Sequence, residues 1–140
     1  LSSKIKYNDE IIATGAETVL YMPWEHDTSN HDVRVADIAS VYTSIGEELG
    51  ALVAPVGLAF SRSLSERPDL DLFIGDREHS NSRGEYLAAS VLYATIFGKS
   101  PEGPVWISPK MAEEAGMSEE DAAFLDRIAW QTVTEYREGE

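Results

Sequence analysis

The 140-residue chain contains no cysteine. That excludes a disulfide framework and any thiolate metal site, and leaves the redox compartment undetermined. It also lacks an apolar run long enough to span a bilayer and an N-terminal stretch that reads as a signal peptide. Basic residues are scarce: 11 Lys and Arg stand against 25 Asp and Glu, a formal charge of −14. Such a chain repels phosphate backbones and anionic lipid, so neither a nucleic acid nor a membrane surface is expected as a partner. The chain opens Leu1-Ser2-Ser3-Lys4 without an initiator Met, as a processed start or a piece of a longer protein would.

What is present fits one domain over residues 1–140 with a packed core. The apolar share of 43% is ordinary for a folded chain and argues against disorder. Helical and strand patterns alternate, which predicts an α/β layered structure. Residues 4–14 read as the end of a helix with Ile5, Ile11 and Ile12 on one face and Gly15 just past its end. Thr18 to Met22 is a short β-rich run stopped by Pro23, as expected of a buried parallel strand. Helical spacing resumes from Asp32 to Leu49 through Val35, Ala36, Ala39, Tyr42 and Ile45, with Gly50 as the C-terminal cap. Ala51 to Ala54 reads as a second buried strand, and residues 57–65 as a short helix broken before Arg67-Pro68.

The pattern continues with a compact apolar patch at residues 69–73, a loop at 75–83, and an amphipathic helix from Arg83 to Phe97. That helix turns Tyr86, Leu87, Ser90, Val91, Ala94 and Phe97 to one side. Ser108 is positioned to cap a helix beginning at Pro109. Ser118-Glu119-Glu120-Asp121 resembles a capping box, opening a last helix that carries Leu125, Ile128, Ala129, Val133 and Tyr136 inward. Trp106 and Trp130 read as packing residues. Only two strands emerge, too few for an independently stable parallel sheet, so the chain reads as half of a doubly wound domain. An open strand edge predicts self-association into a homo-oligomer that covers it.

Chemistry concentrates in Gly75-Asp76-Arg77-Glu78-His79-Ser80-Asn81-Ser82. A carboxylate three residues before an imidazole can fix its tautomer and orientation, leaving the His to accept a proton from a serine hydroxyl. By itself Asp-x-x-His is a weak pattern; a loop Asp capping its own turn beside a solvated His gives the same spacing. Local serines offer no obvious nucleophile. Ser80 and Ser82 follow His79 in the same loop, while Ser61, Ser63 and Ser65 lie in a polar segment without an elbow motif. His26 and His31 flank Asp27-Thr28-Ser29-Asn30, but their spacing is no recognised ligand pattern, and Asn30 or Asp32 has a capping role. No metal or cofactor is therefore expected.

Taken in order, Tyr21-Met22-Pro23-Trp24, residues 55–60 (PVGLAF), Asp76-Arg77-Glu78-His79, residues 84–89 (GEYLAA) and residues 97–101 (FGKSP) resemble the C-terminal half of SGNH (GDSL-type) esterases and acylhydrolases. The resemblance runs from about Glu17 to Tyr136. It implies a partial flavodoxin-like three-layer α/β/α fold with few parallel strands and a helical C-terminus. It also implies an ester or acylated small-molecule substrate and a Ser-His-Asp triad, in which His79 is the base and Asp76 its orienting carboxylate. The loop after Pro23 would line the substrate entrance, with Trp24 and His26 as substrate-binding residues. The family's Gly-Asp-Ser block and its oxyanion-hole blocks do not occur; the only Gly-Asp, Gly75-Asp76, is followed by Arg. The expectation is an Asp–His arm inactive by itself, with a non-catalytic, self-associating module of the same ancestry as the alternative. A third possibility is an unrelated α/β domain whose Asp–His pair is incidental, and it requires that the two side chains do not meet.

Overall fold

The computed structural model describes residues 2–28, 33–103 and 108–139, the side chains from residue 6 onward. Trp106, Asn30, His31 and Asp32 therefore lie outside the described residues. Helices α1 (Ser2–Ala13), α2 (Val35–Leu49), α3 (Val56–Glu66), α4 (Ser82–Phe97), α5 (Pro109–Glu114) and α6 (Glu119–Glu138) surround strands β1 (Val19–Tyr21) and β2 (Leu52–Ala54). The chain is broadly α/β and mostly helical, with the order of elements that the pattern predicts.

The two strands are parallel, Leu20 opposite Val53 and Tyr21 opposite Ala54. Successive strand residues face opposite sides. Val53 turns toward α2, where Gly46 leaves room for it: a Cβ at Gly46 would lie 2.5 Å from Val53 Cγ2. Ala54 turns the other way, into the main cluster with Leu87 and Val91 of α4 and Leu125, Ile128 and Val133 of α6. Pro55, which cannot extend the ladder, ends β2 and begins the turn into α3.

Helix ends follow their local chemistry. Gly50 and Gly98 close α2 and α4 at φ 61° and 62°. Ser108 accepts a bond from Met111 N, with Pro109 at the first helical position. Ser118 and Asp121 exchange both bonds of a capping box. The start of α2 differs from expectation. The helix begins at Val35 rather than Asp32, and the Val35 amide is taken by Glu25 from the loop after β1 (2.9 Å).

Several faces differ from the expected ones. Ile12 is 55% exposed, and among the described side chains of α1, which do not include Ile5, the buried one is Asn8, which bridges Thr18 Oγ1 and the Leu49 carbonyl. Tyr21 and Leu52 are each 39% exposed, so the strands are not buried throughout as expected. Ala36 and Phe97 are exposed as well, and Tyr136 is half-buried with its hydroxyl on Thr43 Oγ1 (2.7 Å). These side chains satisfy the periodicity, but the described chain offers nothing large enough to cover them fully.

Candidate functional site

The Asp–His loop is built on the buried patch that precedes it. Leu70, Leu72 and Phe73 are buried, and Phe73 pairs with Ser80 in an isolated antiparallel bridge. Ile74 N donates to His79 O and Arg77 N to Ile74 O, closing residues 74–79 into a compact turn. Asn81 anchors the far end. Its Nδ2 donates to the Asp71 and Phe73 carbonyls while its Oδ1 accepts Arg83 N and Gly84 N, capping α4. Gly84 permits the close approach of α4, since a Cβ there would lie 2.6 Å from Leu72 O.

Within this frame Asp76 and His79 meet. Asp76 Oδ2 lies 2.7 Å from His79 Nδ1, and Asp76 Oδ1 accepts the amides of Glu78 (2.9 Å) and His79 (3.0 Å). The carboxylate thus caps its own turn with one oxygen and meets the ring with the other. With Nδ1 held by the carboxylate, Nε2 is the nitrogen left to exchange a proton with a substrate or nucleophile. The His79 side chain is 76% exposed. Its ring makes no hydrogen bond to a serine among the described residues; Ser63 is fully buried, and Ser80 only partly exposed.

The electrostatics follow from those contacts. The amides of His79 and then Glu78, with the imidazole, hold the Asp76 carboxyl down at about 2. The Asp76 carboxylate in turn raises His79 above the ordinary 6.5. The depressed acid contributes to folding above the ordinary carboxylate range and loses that contribution as pH falls through about 2. The raised base contributes below 6.5 and loses it as pH climbs through the folded-state value. Both groups are well exposed, so the effect on stability is small and the effect on protonation is what matters. An Asp76→Asn variant is expected to return the His79 titration midpoint, followed by imidazole NMR, toward the unperturbed value; an unchanged midpoint would contradict the pairing.

Trp24 and His26 share one cleft of about 320 Å³ beside this loop, walled by Phe60, Leu64 and Phe73 and also lined by Arg77. Trp24 stacks on Phe60 with ring centroids 4.5 Å apart, and its indole donates to the Glu78 carbonyl (2.8 Å). His79 is not in the cleft lining; the cleft and the Asp–His pair are joined through residues 77 and 78. Among the described residues no group of three or more His, Asp or Glu side chains is arranged to hold a metal ion. Nor is any helix there long and apolar enough to cross a membrane.

Arg77 is a site residue that sequence reasoning passed over. Its Nε donates to Asp27 Oδ2 (3.0 Å), Nη2 to the same oxygen, and Nη1 to Asp71 Oδ2 (2.7 Å). No local spacing announces the Asp27 pair, because the partners are fifty positions apart.

A larger cavity of about 500 Å³ lies elsewhere, between α4 and α5, lined by Tyr86, Ser90, Tyr93 and Met111. Tyr86 and Ser90 also donate to Asp126, a nearly buried carboxylate that burial pushes above its usual range. Its size alone does not make this cavity the site: it contains neither the Asp–His pair nor the cleft at the strand ends. Asp126 has the two donors a buried acceptor needs to be structural.

Comparison with protein-family models, curated proteins and solved structures finds no match to this chain. The functional reading therefore rests on the residues and their geometry.

Proposed function

We propose that this chain is the Asp–His arm of an SGNH-type ester or acyl hydrolase with a flavodoxin-like three-layer fold, active when another polypeptide segment supplies the serine and the oxyanion hole. The observation that carries this reading is the 2.7 Å contact between Asp76 Oδ2 and His79 Nδ1, the orientation in which a carboxylate serves an imidazole base. The order of motifs from Tyr21 to Pro101 supports it further, as does the cleft holding Trp24 and His26 at the end of β1. In this reading His79 Nε2 takes the proton of the attacking serine and returns it to the leaving alkoxide, while Asp76 steadies the imidazolium formed between those steps. The cleft receives the acyl or alcohol part of a small ester.

The test compares two polypeptides. The chain alone is expected to turn over a short-chain aryl ester at the buffer rate, identically for wild type and His79→Ala. Where the gene carries an in-frame segment upstream of Leu1, the protein so extended is expected to hydrolyse it, with kcat falling about 10³- to 10⁴-fold in His79→Ala; an independent start at that place selects the non-catalytic reading below. Turnover in the extended protein that is indifferent to His79→Ala would sink the proposal.

A second reading is favoured by a different observation. Among the described residues each strand of the sheet is paired on one side only, and Tyr21 and Leu52 are partly exposed. A non-catalytic module that self-associates along this sheet would cover both. Oligomers of the chain in sedimentation, together with no ester turnover by the extended protein, would select it.

A further inference from the structure

We infer that Arg77 is a positioning residue that locks the Asp76–His79 turn to the loop after β1 and so fixes the imidazole relative to the cleft. The inference rests on the hydrolase reading only for its consequence in catalysis; the lock itself is a matter of geometry.

Arg77 is the one non-glycine residue with a positive φ (62°) among the described residues. A side chain in the left-handed region costs about 1 kcal/mol, and it persists where the surroundings over-determine it. Here they do. The guanidinium reaches Asp27 on one side and Asp71 on the other, and lies over the Phe73 ring at 5.3 Å. Two backbone bonds reinforce it: Arg77 N donates to Ile74 O, and Arg77 O accepts Asp27 N (2.9 Å). The neighbouring Glu78 carbonyl accepts the Trp24 indole. Three independent ties therefore run from the loop after β1 to the two residues between Asp76 and His79.

The geometry also explains why arginine stands there. Glycine would relieve the backbone, and lysine would keep the charge, but neither can satisfy two carboxylates lying in different directions. A planar fork with five donors can. The left-handed turn puts the fork on Asp27 and Asp71 while the Glu78 and His79 amides stay on Asp76 Oδ1. If the turn loosens, those amides leave the carboxylate, and the ring loses the partner that orients it.

Two variants of the chain test this, neither of which requires ester turnover. Arg77→Lys preserves charge, so any change in His79 reports geometry. Its NMR titration midpoint is expected to fall toward the ordinary imidazole value, and amide exchange at Glu78 and His79 to quicken about five- to tenfold. Arg77→Gly preserves both backbone bonds and removes the left-handed penalty, yet is expected to show the same faster exchange. Wild-type protection in Arg77→Gly would assign the turn to backbone alone and overturn the inference, as would an unchanged His79 midpoint in Arg77→Lys. Because both readouts are made without an ester, failure of the hydrolase reading leaves them intact. Their failure would likewise leave the Asp–His pair available to that reading.

Discussion

Gly57→Ala is expected to lower the melting temperature by roughly 8 °C, corresponding to about 2 kcal/mol for a domain of this size. A Cβ at Gly57 would lie 2.0 Å from the Pro23 carbonyl oxygen, 2.8 Å from its carbon and 3.1 Å from Trp24 Cα. All three are backbone atoms, so no side chain can swing aside to make room. In an unconstrained helix alanine would be favoured over glycine by about 1 kcal/mol. Overpacking against fixed backbone costs about 3 kcal/mol, and the clash outweighs the propensity. The strain also has a direction. Gly57 N donates to Met22 O, so the first turn of α3 and the end of β1 are already tied together. Pushing them apart moves Trp24, which stacks on Phe60 and holds the Glu78 carbonyl. Thermal unfolding followed by circular dichroism measures the loss, and tryptophan fluorescence follows the displacement. An unchanged or higher melting temperature would show that β1 and α3 can separate freely, and the cleft would then lack its fixed wall.

The legible parts of this fold are those whose cause is local. Pro23 and Pro55 stop strands, Gly50 and Gly98 end helices at positive φ, and Ser118 opens α6 with a capping box; each acts within a few residues of itself. The Asp76–His79 contact was legible for the same reason, since both partners lie on one turn. What periodicity could not supply is the identity of the covering surface. Ile12, Tyr21, Leu52 and Phe97 all obey an apolar pattern, yet they remain substantially exposed because burial depends on a neighbour that no local rule names. Arg77 failed to stand out for a related reason. Its role comes from Asp71, six residues before it, and from Asp27, brought beside it only when the loop after β1 folds onto the buried Leu72–Phe73 patch. Glu25, which takes the first amide of α2 from ten residues away, belongs with it. Local chemistry thus specified the catalytic-looking pair, while long-range pairing specifies how that pair is held.

Phe60→Ala is expected to cost about 3–5 kcal/mol, the largest effect of any substitution near the site. Phe60 is 1% exposed. Its ring lies parallel to Trp24 at 4.5 Å and meets Phe73 edge-on at 6.0 Å. Truncation removes the apolar contacts of a whole ring and leaves a cavity between two segments distant in sequence, one carrying Trp24 and the other Phe73. Those segments cannot easily collapse to fill it, because Trp24 is pinned by its bond to Glu78 O and Phe73 by its bridge to Ser80. Phe60→Leu retains most of the volume but not the stacking, so it should cost about 1–2 kcal/mol. Urea unfolding with an unchanged slope would read both values directly. A cost below about 1 kcal/mol for alanine would mean that the aromatic stack is superficial. The distinction matters for the site, since Phe60 touches both Trp24, in the loop that carries His26, and Phe73, in the patch that supports Asp76 and His79. If its removal destabilises the chain while Phe60→Leu leaves the His79 titration intact, the stack serves stability. If both variants shift that titration, the aromatic stack is also what holds the imidazole in register with the cleft.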